Sequence, residues 1–563
     1  MSSQEDSISN MFHPPAVSVH GLSFQYNYGD DDLSTPTKAS SASNALLVES
    51  PAPALQNISF TLEAGELLLI AGPSGCGKST LIKCLNGLIP HSYKGKLSGS
   101  IEILGQSGAG MKLHELAQKI GTMLQDPDKQ IIGSVVEQEI AFGLENLGTP
   151  RQEMRRRILA VLQQLKLEHV LERSTFALSG GQRQQIAAAG LLVMRPSILL
   201  FDEPFASLDA SVVDELEKLI LDLRSTGHTV IIVEHRVEEA LRLHPDKVLL
   251  MSEGRQIFFG SAEDFMQVAD PTQVKLPIAA TLRLLPDPAR VRESLINPIV
   301  ARKSSSIVSH KPVLSFEQVR YRYDSSSDEI LHGVSFDVHA GETIALLGPN
   351  GSGKTTLMKQ ALGLLRPSKG RVLLYGDDTR KLSVAQVAAR IGYVFQSPGA
   401  MLFAPNVREE VSFGPTNLRF PADKLATSVQ QSLEALNVAE FAQRSPLSLS
   451  FGQQKRVTIA SVLSMQGKVL LLDEPTAGQD YKSYIAFIEY LRQLPELDAL
   501  LFITHDLDLA LRFTQRVILL REGNVVADGA PLQVLDQPDL LTACNLRPTS
   551  LLHHILSEQH AVG

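Results

Sequence analysis

Two stretches of the chain have the glycine spacing and the closing lysine and hydroxyl that bind nucleotide phosphates. Both fit the pattern G-x-x-x-x-G-K-[ST], which Lys78 and Ser79 close in the first stretch and Lys354 and Thr355 close in the second. Glycines let backbone N–H groups point at phosphate oxygens, and the helix start adds the positive end of its dipole. We expect the lysines to reach the β- and γ-phosphates, and the two hydroxyls to ligate Mg²⁺. The predicted phosphate-binding residues are Gly72, Pro73, Ser74, Gly75, Cys76, Gly77, Lys78, Ser79 and Thr80, and Gly348, Pro349, Asn350, Gly351, Ser352, Gly353, Lys354, Thr355 and Thr356.

An acidic pair follows each phosphate loop, at the end of an apolar run. Asp202 and Glu203 end SILLFDE, and Asp473 and Glu474 end KVLLLDE. A carboxylate in this position suits a Mg²⁺ site, so Asp202 and Asp473 are predicted metal residues. The adjoining Glu203 and Glu474 are predicted to polarise the water that attacks the γ-phosphate.

Two more polar residues recur after apolar strands. His235 (in VEH) and His505 (in ITH) are predicted to hold the γ-phosphate and the attacking water. Gln125 (in MLQDP) and Gln396 (in VFQSP) follow strands that come before a helix-rich stretch. A glutamine here can reach both metal and water. We therefore expect these two residues to link the state of the nucleotide to the position of the helical part.

The motifs come in two copies because the chain repeats itself. ALSGGQRQQIAAAGLL in the first half returns as SLSFGQQKRVTIASVL in the second. The two loop lysines, Lys78 and Lys354, are 276 positions apart, and the two histidines, His235 and His505, are 270 apart. Such constant order and spacing indicate a duplicated domain.

The repeat defines the predicted organisation. We predict a first domain at 1–283, a linker at 284–311 and a second domain at 312–563. The first half carries an extra stretch, DDDLSTPTKASSASNALL, whose composition predicts a flexible surface insertion at about 29–54.

An α/β fold is needed to position the motifs. ELLLIAG and ETIALLG are β runs that lead into the phosphate loops, and TVIIVEH and ALLFITH read as buried strands of a mainly parallel sheet. RQEMRRRILAVLQQLKL is rich in helix formers and predicts a separate helical subdomain. Each half is thus predicted to be a P-loop NTPase domain.

Composition narrows the class of protein. The formal net charge is −9 and no basic block is evident, which argues against a nucleic-acid surface. The three cysteines, Cys76, Cys84 and Cys544, have no CxxC spacing, so neither a disulfide framework nor a cysteine-rich metal site is expected. The N-terminus lacks the pattern of a signal peptide, and no apolar run approaches the ~20 residues that span a bilayer.

At LSGGQ (178–182) the order of motifs becomes specific: the chain resembles the ABC ATPase superfamily over most of both halves. The resemblance implies a RecA-like, mainly parallel core with added antiparallel β structure, and ATP bound between two domains that pair head to tail within the chain. The first phosphate loop would then face Ser450 and Gly452, and the second would face Ser179, Gly180 and Gly181. With Gln182 and Gln453, these are the signature residues predicted to contact the nucleotide.

The resemblance assigns two further pairs and exposes one departure. Tyr26 and Tyr323 stand where the family stacks an aromatic ring on adenine, and Asp209 and Asp480 stand in the loop that connects the two sites. In the second signature, LSFGQ, Phe451 replaces the first glycine. We therefore expect two sites that are both active but unequal.

A finer resemblance follows each glutamine. QDPDKQIIGSVVEQEIAFGLENLG and QSPGAMLFAPNVREEVSFGPTNLR are similar to segments of energy-coupling-factor ATPases, which drive vitamin and cobalt/nickel importers. The resemblance implies a transmembrane coupling protein and a substrate-binding membrane protein as partners, at the cytoplasmic membrane face. It makes Glu137, Glu139, Glu409 and Glu410 candidate contacts for arginines of the partner. A sugar-type tandem importer ATPase and a ribosome-associated tandem ATPase remain alternatives.

Overall fold

A computed structural model describes residues 14–27, 53–125, 129–205, 208, 210–285, 311–324, 328–494 and 497–562. Nearly all of the predicted insertion and of the predicted linker lies outside these residues. The described residues form two compact units: a first unit of residues up to 205 together with 216–269, and a second unit of 206–215 together with the chain from 270 onward. The domain boundaries drawn from the sequence stay predictions, and residues 270–285 pack within the second unit.

The first unit is built on one ten-stranded sheet. Its strands lie in the order β5-β4-β1-β2-β10-β9-β3-β8-β7-β6. β1, β2, β4 and β5 pair antiparallel, whereas β9, β3, β8, β7 and β6 are parallel neighbours. These strands are β1 Val17–Tyr26, β2 Leu55–Leu62, β3 Leu67–Ala71, β4 Gly95–Ile103, β5 Gln106–Ser107, β6 Ile120–Met123, β7 Ile198–Asp202, β8 Thr229–Val233, β9 Lys247–Ser252 and β10 Arg255–Gly260.

The second unit divides the same plan into two sheets. A four-stranded antiparallel sheet has the order β12-β11-β14-β15, and a six-stranded sheet has the order β16-β17-β18-β13-β19-β20. The latter order repeats β6-β7-β8-β3-β9-β10 of the first unit, so the two units share one core topology. These strands are β11 Leu314–Tyr321, β12 Leu331–Val338, β13 Thr343–Leu347, β14 Lys369–Leu374, β15 Asp377–Asp378, β16 Ile391–Val394, β17 Val469–Asp473, β18 Ala499–Ile503, β19 Arg516–Arg521 and β20 Asn524–Gly529.

Helices cover the sheets and form a helical subdomain in each unit, α4–α6 in the first and α13–α15 in the second. The predicted helix-rich stretch of the first half is α5. The helices are α1 Lys78–Leu85, α2 Leu88–His91, α3 Leu113–Lys119, α4 Val136–Asn146, α5 Arg151–Leu165, α6 Gly180–Leu192, α7 Ala210–Ser225, α8 Val237–Leu241, α9 Ala262–Val268, α10 Ile278–Leu284, α11 Lys354–Ala361, α12 Val384–Ala388, α13 Val407–Asn417, α14 Ala422–Ala435, α15 Phe451–Leu463, α16 Tyr481–Gln493, α17 Leu507–Phe513, α18 Pro531–Leu535, α19 Pro538–Ala543 and α20 Ser550–Val562.

The cores explain why these apolar runs form central strands. β3 and β13 are buried along their whole length, as expected for strands with helices on both faces of the sheet. Cys76, Cys84 and Cys544 are buried free thiols. Among the described residues, no helix combines the length and the apolar character needed to cross a membrane.

The parallel core brings the motifs to one edge. β3 runs into the first phosphate loop, β7 ends at Asp202, and β8 is followed by Glu234 and His235. β3 lies next to β8, and β8 lies next to β7. Because carboxyl ends of parallel strands share an edge, the phosphate loop, the acidic pair and the histidine meet there. The second unit repeats this with β13, β17 and β18, which confirms the predicted fold class.

Candidate nucleotide sites

Each phosphate loop is folded around its own lysine. The Lys78 ammonium donates hydrogen bonds to the carbonyl oxygens of Gly72 (2.8 Å) and Pro73 (2.9 Å). The Lys354 ammonium makes the same two bonds, to the carbonyls of residues 348 (2.7 Å) and 349 (2.9 Å). Gly77 has φ 102°, and a Cβ there would lie 2.5 Å from a backbone carbonyl oxygen, so the loop requires glycine. The loops therefore hold their lysines buried at the start of α1 and α11.

The first unit brings its predicted catalytic side chains into contact. His235 Nε2 lies 3.0 Å from Glu203 Oε1, and the Gln125 amide donates to the other carboxylate oxygen at 2.6 Å. Both carboxylate oxygens of Glu203 therefore have a partner. These two contacts fix the orientation in which the carboxylate could act as a base on a water molecule.

The second unit makes a similar but not identical group. His505 Nε2 lies 3.3 Å from Glu474 Oε1 and 3.3 Å from Asn350 Oδ1, an oxygen of the phosphate loop. The histidine therefore connects the carboxylate to the phosphate loop.

Both candidate bases have a strained backbone. Glu203 has φ 50° and Glu474 has φ 46°, in the left-handed region that non-glycine residues seldom adopt. Their backbone N–H groups donate to the carbonyls of Val233 (2.8 Å) and Ile503 (2.9 Å), at the ends of β8 and β18. Strain of this kind costs about 1–3 kcal/mol and is typical of functional sites, because it directs the side chain.

The acidic pair of the first unit has divergent pKa values. Burial, with the charge of Glu203 added, raises the pKa of Asp202 to about 7. Burial also acts to raise the pKa of Glu203, but the charge and hydrogen bond of His235, and then the charge of Lys78, lower it overall. Glu203 is therefore ionised, as a general base must be, and a cation beside Asp202 would favour its ionised form too.

The residues predicted to hold Mg²⁺ offer the right atoms. In the second unit the Thr355 hydroxyl donates to Asp473 Oδ2 at 3.0 Å, and the Tyr393 hydroxyl donates to the same oxygen at 2.9 Å. Hydroxyl and carboxylate oxygens are ligands that Mg²⁺ prefers. In the first unit Ser79 lies in the first turn of α1, and Asp202 ends β7.

A cavity of about 300 Å³ joins the predicted residues of the second unit. Apart from Ile330 and Ile503, its lining was predicted from the sequence. It is lined by Tyr323, Ile330, Asn350, Gly351, Gly353, Lys354, Thr355, Thr356, Gln396, Asp473, Glu474, Ile503 and His505.

The two tyrosines occupy matching places. The Tyr26 hydroxyl lies 3.3 Å from Thr80 Oγ1, and the Tyr323 hydroxyl lies 3.4 Å from Thr356 Oγ1. Each ring therefore stands at the helix start that follows its phosphate loop. Tyr323 is 58% exposed, so its ring has a free face on which a base could stack.

Both signatures form capping boxes. The Ser179 hydroxyl accepts from the Gln182 N–H at the start of α6, and Ser450 and Gln453 repeat the arrangement at α15. A Cβ built on Gly180 meets nothing within 4 Å. Because Phe451 occupies the equivalent position, its side chain does not disturb the cap of its own helix.

Of the two loop aspartates, Asp209 and Asp480, only Asp480 lies among the described residues. Asp480 caps α16, accepting from the Ser483 backbone N–H and hydroxyl at 2.9 Å each. Asp209 lies outside the described residues.

Two buried charged residues of these sites were not predicted. The Lys455 ammonium donates to the carbonyls of Phe395 (2.8 Å), Gln396 (2.9 Å) and Asp473 (3.2 Å), tying α15 to two site segments. Burial lowers its pKa to about 8, against the charges of the acidic pair. The other residue is Glu234, beside His235. Both differ from their counterparts in the other half, so comparing the two halves position by position is the signal that could have found them.

Comparisons with known proteins show what the chain is similar to. The ABC transporter family model (ABC_tran) matches residues 55–206 and 331–477. Two relatives, each named "Putative ABC transporter ATP-binding protein", come from Vibrio vulnificus (37% identical, 89% of this chain and 91% of that protein) and Enterococcus faecalis (36%, 89% and 91%). The solved structure of CbiO1 from Clostridium perfringens, described as part of the ABC transporter complex CbiONQ, is 34% identical, covers 44% of this chain and 99% of that one, and has a TM-score of 0.38.

The chain therefore belongs to the ABC transporter family and carries two of its ATP-binding domains in tandem. It is an ATPase of the kind that couples hydrolysis to transport.

Proposed function

We propose that the chain is the energy-coupling subunit of a membrane importer of the energy-coupling-factor type. It works at the cytoplasmic membrane face and drives uptake of a vitamin or a transition-metal ion through separate transmembrane proteins. The observation that carries the proposal is a set of exposed apolar residues at matching places in both units, most of them within the segments that follow Gln125 and Gln396.

In the first unit this set, the first patch, consists of Ile132, Phe142 and Phe176, which are 63%, 48% and 84% exposed. The Thr175 backbone N–H donates to the Ser134 carbonyl at 3.1 Å. This bond places Phe176 beside the loop that carries Ile132.

The second patch consists of Phe403, Phe413 and Leu447, each 271 positions after its counterpart. They are 62%, 51% and 64% exposed. The rings of Phe403 and Phe413 meet edge to face with centroids 4.7 Å apart. Exposed apolar side chains that lie together, as these two rings do, are typical of sites of protein interaction, and aromatic residues are enriched there.

Two buried glutamates shape the loops of the patches. Glu139 Oε2 accepts the backbone N–H groups of Ile132 (2.8 Å) and Gly133 (2.6 Å). Glu410 Oε2 does the same for Phe403 (2.8 Å) and the next residue (2.7 Å). The expectation that these two carboxylates are available to a partner's arginines is therefore corrected: they are buried and already bonded to the backbone.

The remaining acidic candidates, Glu137 and Glu409, are exposed at the starts of α4 and α13. A partner helix with an apolar face and flanking arginines would match apolar patches with carboxylates close by. Such an element is what a transmembrane protein would present at the membrane face.

We assign the chemistry to this chain's residues as follows. Glu203 and Glu474 take a proton from the attacking water, His235 and His505 orient the base and the γ-phosphate, and the loop lysines neutralise phosphate charge. A Mg²⁺ ion would be held by Ser79, Gln125 and Asp202, or by Thr355, Gln396 and Asp473. When bound, it would offset the negative charge of the transferred phosphoryl group. The pairing of each phosphate loop with the other half's signature remains a prediction of the sequence.

The test is recovery of the chain with its membrane partners. Full-length wild type and F142D/F413D are expressed in the native host, and membranes are isolated, solubilised and purified on the tagged chain. We expect the double variant to lose at least about tenfold of the co-purifying membrane protein, because each aspartate breaks an apolar contact of about 1.5–3 kcal/mol. I257D, which places the same charge at a 58% exposed isoleucine in β10, is the control. Undiminished recovery with F142D/F413D, or recovery of ribosomes instead of membrane protein, would overturn the proposal.

A further inference from the structure

In the first unit, the loop of His235 is held by a set of hydrogen bonds that differs from the set in the second unit. The two neighbours of this histidine, Glu234 and Arg236, both reach Phe205, two positions beyond Glu203. Glu234 Oε2 accepts the Phe205 backbone N–H at 3.2 Å, and Arg236 Nη1 donates to the Phe205 carbonyl oxygen at 3.0 Å. The backbone of Phe205 is therefore held on both of its polar groups.

The same carboxylate also organises the histidine loop itself. Glu234 Oε1 accepts the backbone N–H groups of His235 (2.8 Å) and Arg236 (3.0 Å). Glu234 is 1% exposed, and its own N–H donates to the Ile70 carbonyl of β3 at 3.3 Å. Burying a carboxylate costs free energy because the charge loses its contacts with water, even when three N–H groups donate to it. Such a buried carboxylate is therefore expected where it holds a functional segment in place.

The equivalent residues of the second unit make their hydrogen bonds within their own loop, and Asp506 also forms an ion pair with Lys275 at 3.6 Å. Thr504 stands where the first unit has Glu234, and its hydroxyl accepts the Asp506 N–H at 3.0 Å. Asp506 stands where the first unit has Arg236, and its carboxylate accepts the N–H groups of Asp508 and Leu509, at 3.0 and 3.2 Å, and so caps α17.

We propose that Glu234, together with Arg236, is a positioning residue that clamps the His235 loop to Phe205 and thereby sets the contact between His235 and Glu203. The second unit has no such pair at these positions, and its histidine lies 3.3 Å from its glutamate instead of 3.0 Å. The inference rests on the proposed roles of Glu203 and His235.

The clamp has a protonation signature of its own. The titratable or charged groups facing Glu234 are Glu203, His235 and Arg236. Burial, with the charge of Glu203 added, raises the pKa of Glu234 to about 7, against the opposing effects of Arg236 and His235. A proton on Oε2, the oxygen with a single and longer contact, would compete with the Phe205 N–H. The clamp is therefore complete above about pH 7 and loosens below it.

The experiment uses the full chain carrying E474Q, so that hydrolysis reports the first unit. Single-turnover hydrolysis of radiolabelled ATP with Mg²⁺ is followed from pH 6 to 9, and ATP affinity is measured separately. Adding E234T, the residue of the second unit, should slow the turnover about tenfold with the Kd for ATP changed less than about threefold, because a displacement near 1 Å can cost up to ~10²-fold. The acid limb with a midpoint near pH 7 should disappear.

A second variant covers the case in which E234T does not fold. E234Q has the size of the glutamate and keeps one oxygen that accepts hydrogen bonds, but its NH₂ group would face the Phe205 N–H. Its turnover should therefore lie between those of the parent and E234T, and its pH profile should lack the acid limb. T504S, which keeps the hydroxyl at the matching place, is the control and should stay within twofold.

Unchanged turnover and an unchanged acid limb in both Glu234 variants would overturn the clamp. Slower turnover with an equal loss of ATP affinity would also overturn it, since that is the result of general misfolding. E203Q is run in parallel in the same background. If E203Q hydrolyses normally, the proposed roles of the site have failed; if E203Q is slow and E234T is not, only the clamp has failed.

Discussion

The two nucleotide sites of this chain contain the same reacting groups, but different neighbouring residues hold those groups in place. We call these neighbouring residues the supports. In the first unit, Glu203 is held by both His235 and Gln125, and residues on either side of the histidine grip Phe205. In the second unit, the histidine reaches Asn350 of the phosphate loop. There a buried lysine, Lys455, ties the signature helix to the segment of Gln396 and to Asp473.

The two sites differ in the residues around the reacting groups rather than in the reacting groups themselves. The loop lysines, the acidic pairs, the glutamines and the histidines recur in both halves at nearly fixed spacing. Groups that hold them in place do not: Gln184 corresponds to Lys455, and Glu234 corresponds to Thr504. One hydrogen-bond network can replace another so long as the reacting atoms keep their positions.

The largest effect is expected when both candidate bases are removed. E203Q/E474Q should lower kcat for ATP hydrolysis by ~10²–10⁴-fold with ATP binding retained, because a neutral amide cannot take the proton of the attacking water. Steady-state phosphate release and equilibrium ATP binding measure this. E102Q/E522Q, which changes one exposed glutamate in each unit, is the matched control. A double variant that keeps a tenth of the wild-type rate would show that other groups act as the base.

Most of the fold and of the reacting groups could be predicted because both depend on short-range patterns. Apolar runs that end in glycines or carboxylates predicted β3, β7 and β8 and their equivalents, and the parallel topology brings their ends together. The capping boxes at Ser179 and Ser450 are also visible in the sequence.

A comparison of the two halves could have marked the positions of Lys455 and Glu234, but their contacts could not be predicted because they join distant segments of the chain. Nothing in SFGQQKRV shows that Lys455 is fully buried and reaches Phe395, 60 positions earlier. In the same way, the resemblance to energy-coupling-factor ATPases made Glu139 and Glu410 candidate contacts for a partner, and nothing in the sequence showed that they are buried. Their carboxylates turn inward and accept backbone N–H groups of the preceding loops, which satisfies donors that would otherwise need another acceptor.

A smaller effect is expected on the free energy of unfolding, and it should differ between substitutions in the two signature helices, α6 and α15. K455M leaves three carbonyls without this donor, in one buried and two partly buried contacts, whereas Q184M removes one buried bond, to Pro204 at 2.7 Å. At about 1–3 kcal/mol for each unsatisfied group, K455M should lower the free energy of unfolding by several kcal/mol and Q184M by about 1–3 kcal/mol. Urea unfolding of the full chain, followed by probes in each unit, measures both. An effect of K455M no larger than that of Q184M would contradict the assigned role of the lysine.

The central claim is that the chain holds two active but unlike ATP sites, and the single variants E203Q and E474Q test it most directly. Each is assayed for ATP hydrolysis in the otherwise wild-type chain, under the same saturating concentrations of ATP and Mg²⁺. We expect both variants to lose activity and the two losses to differ by at least about threefold, since the supports and the signatures, LSGGQ and LSFGQ, differ. Equal losses, or a variant with full activity, would contradict it.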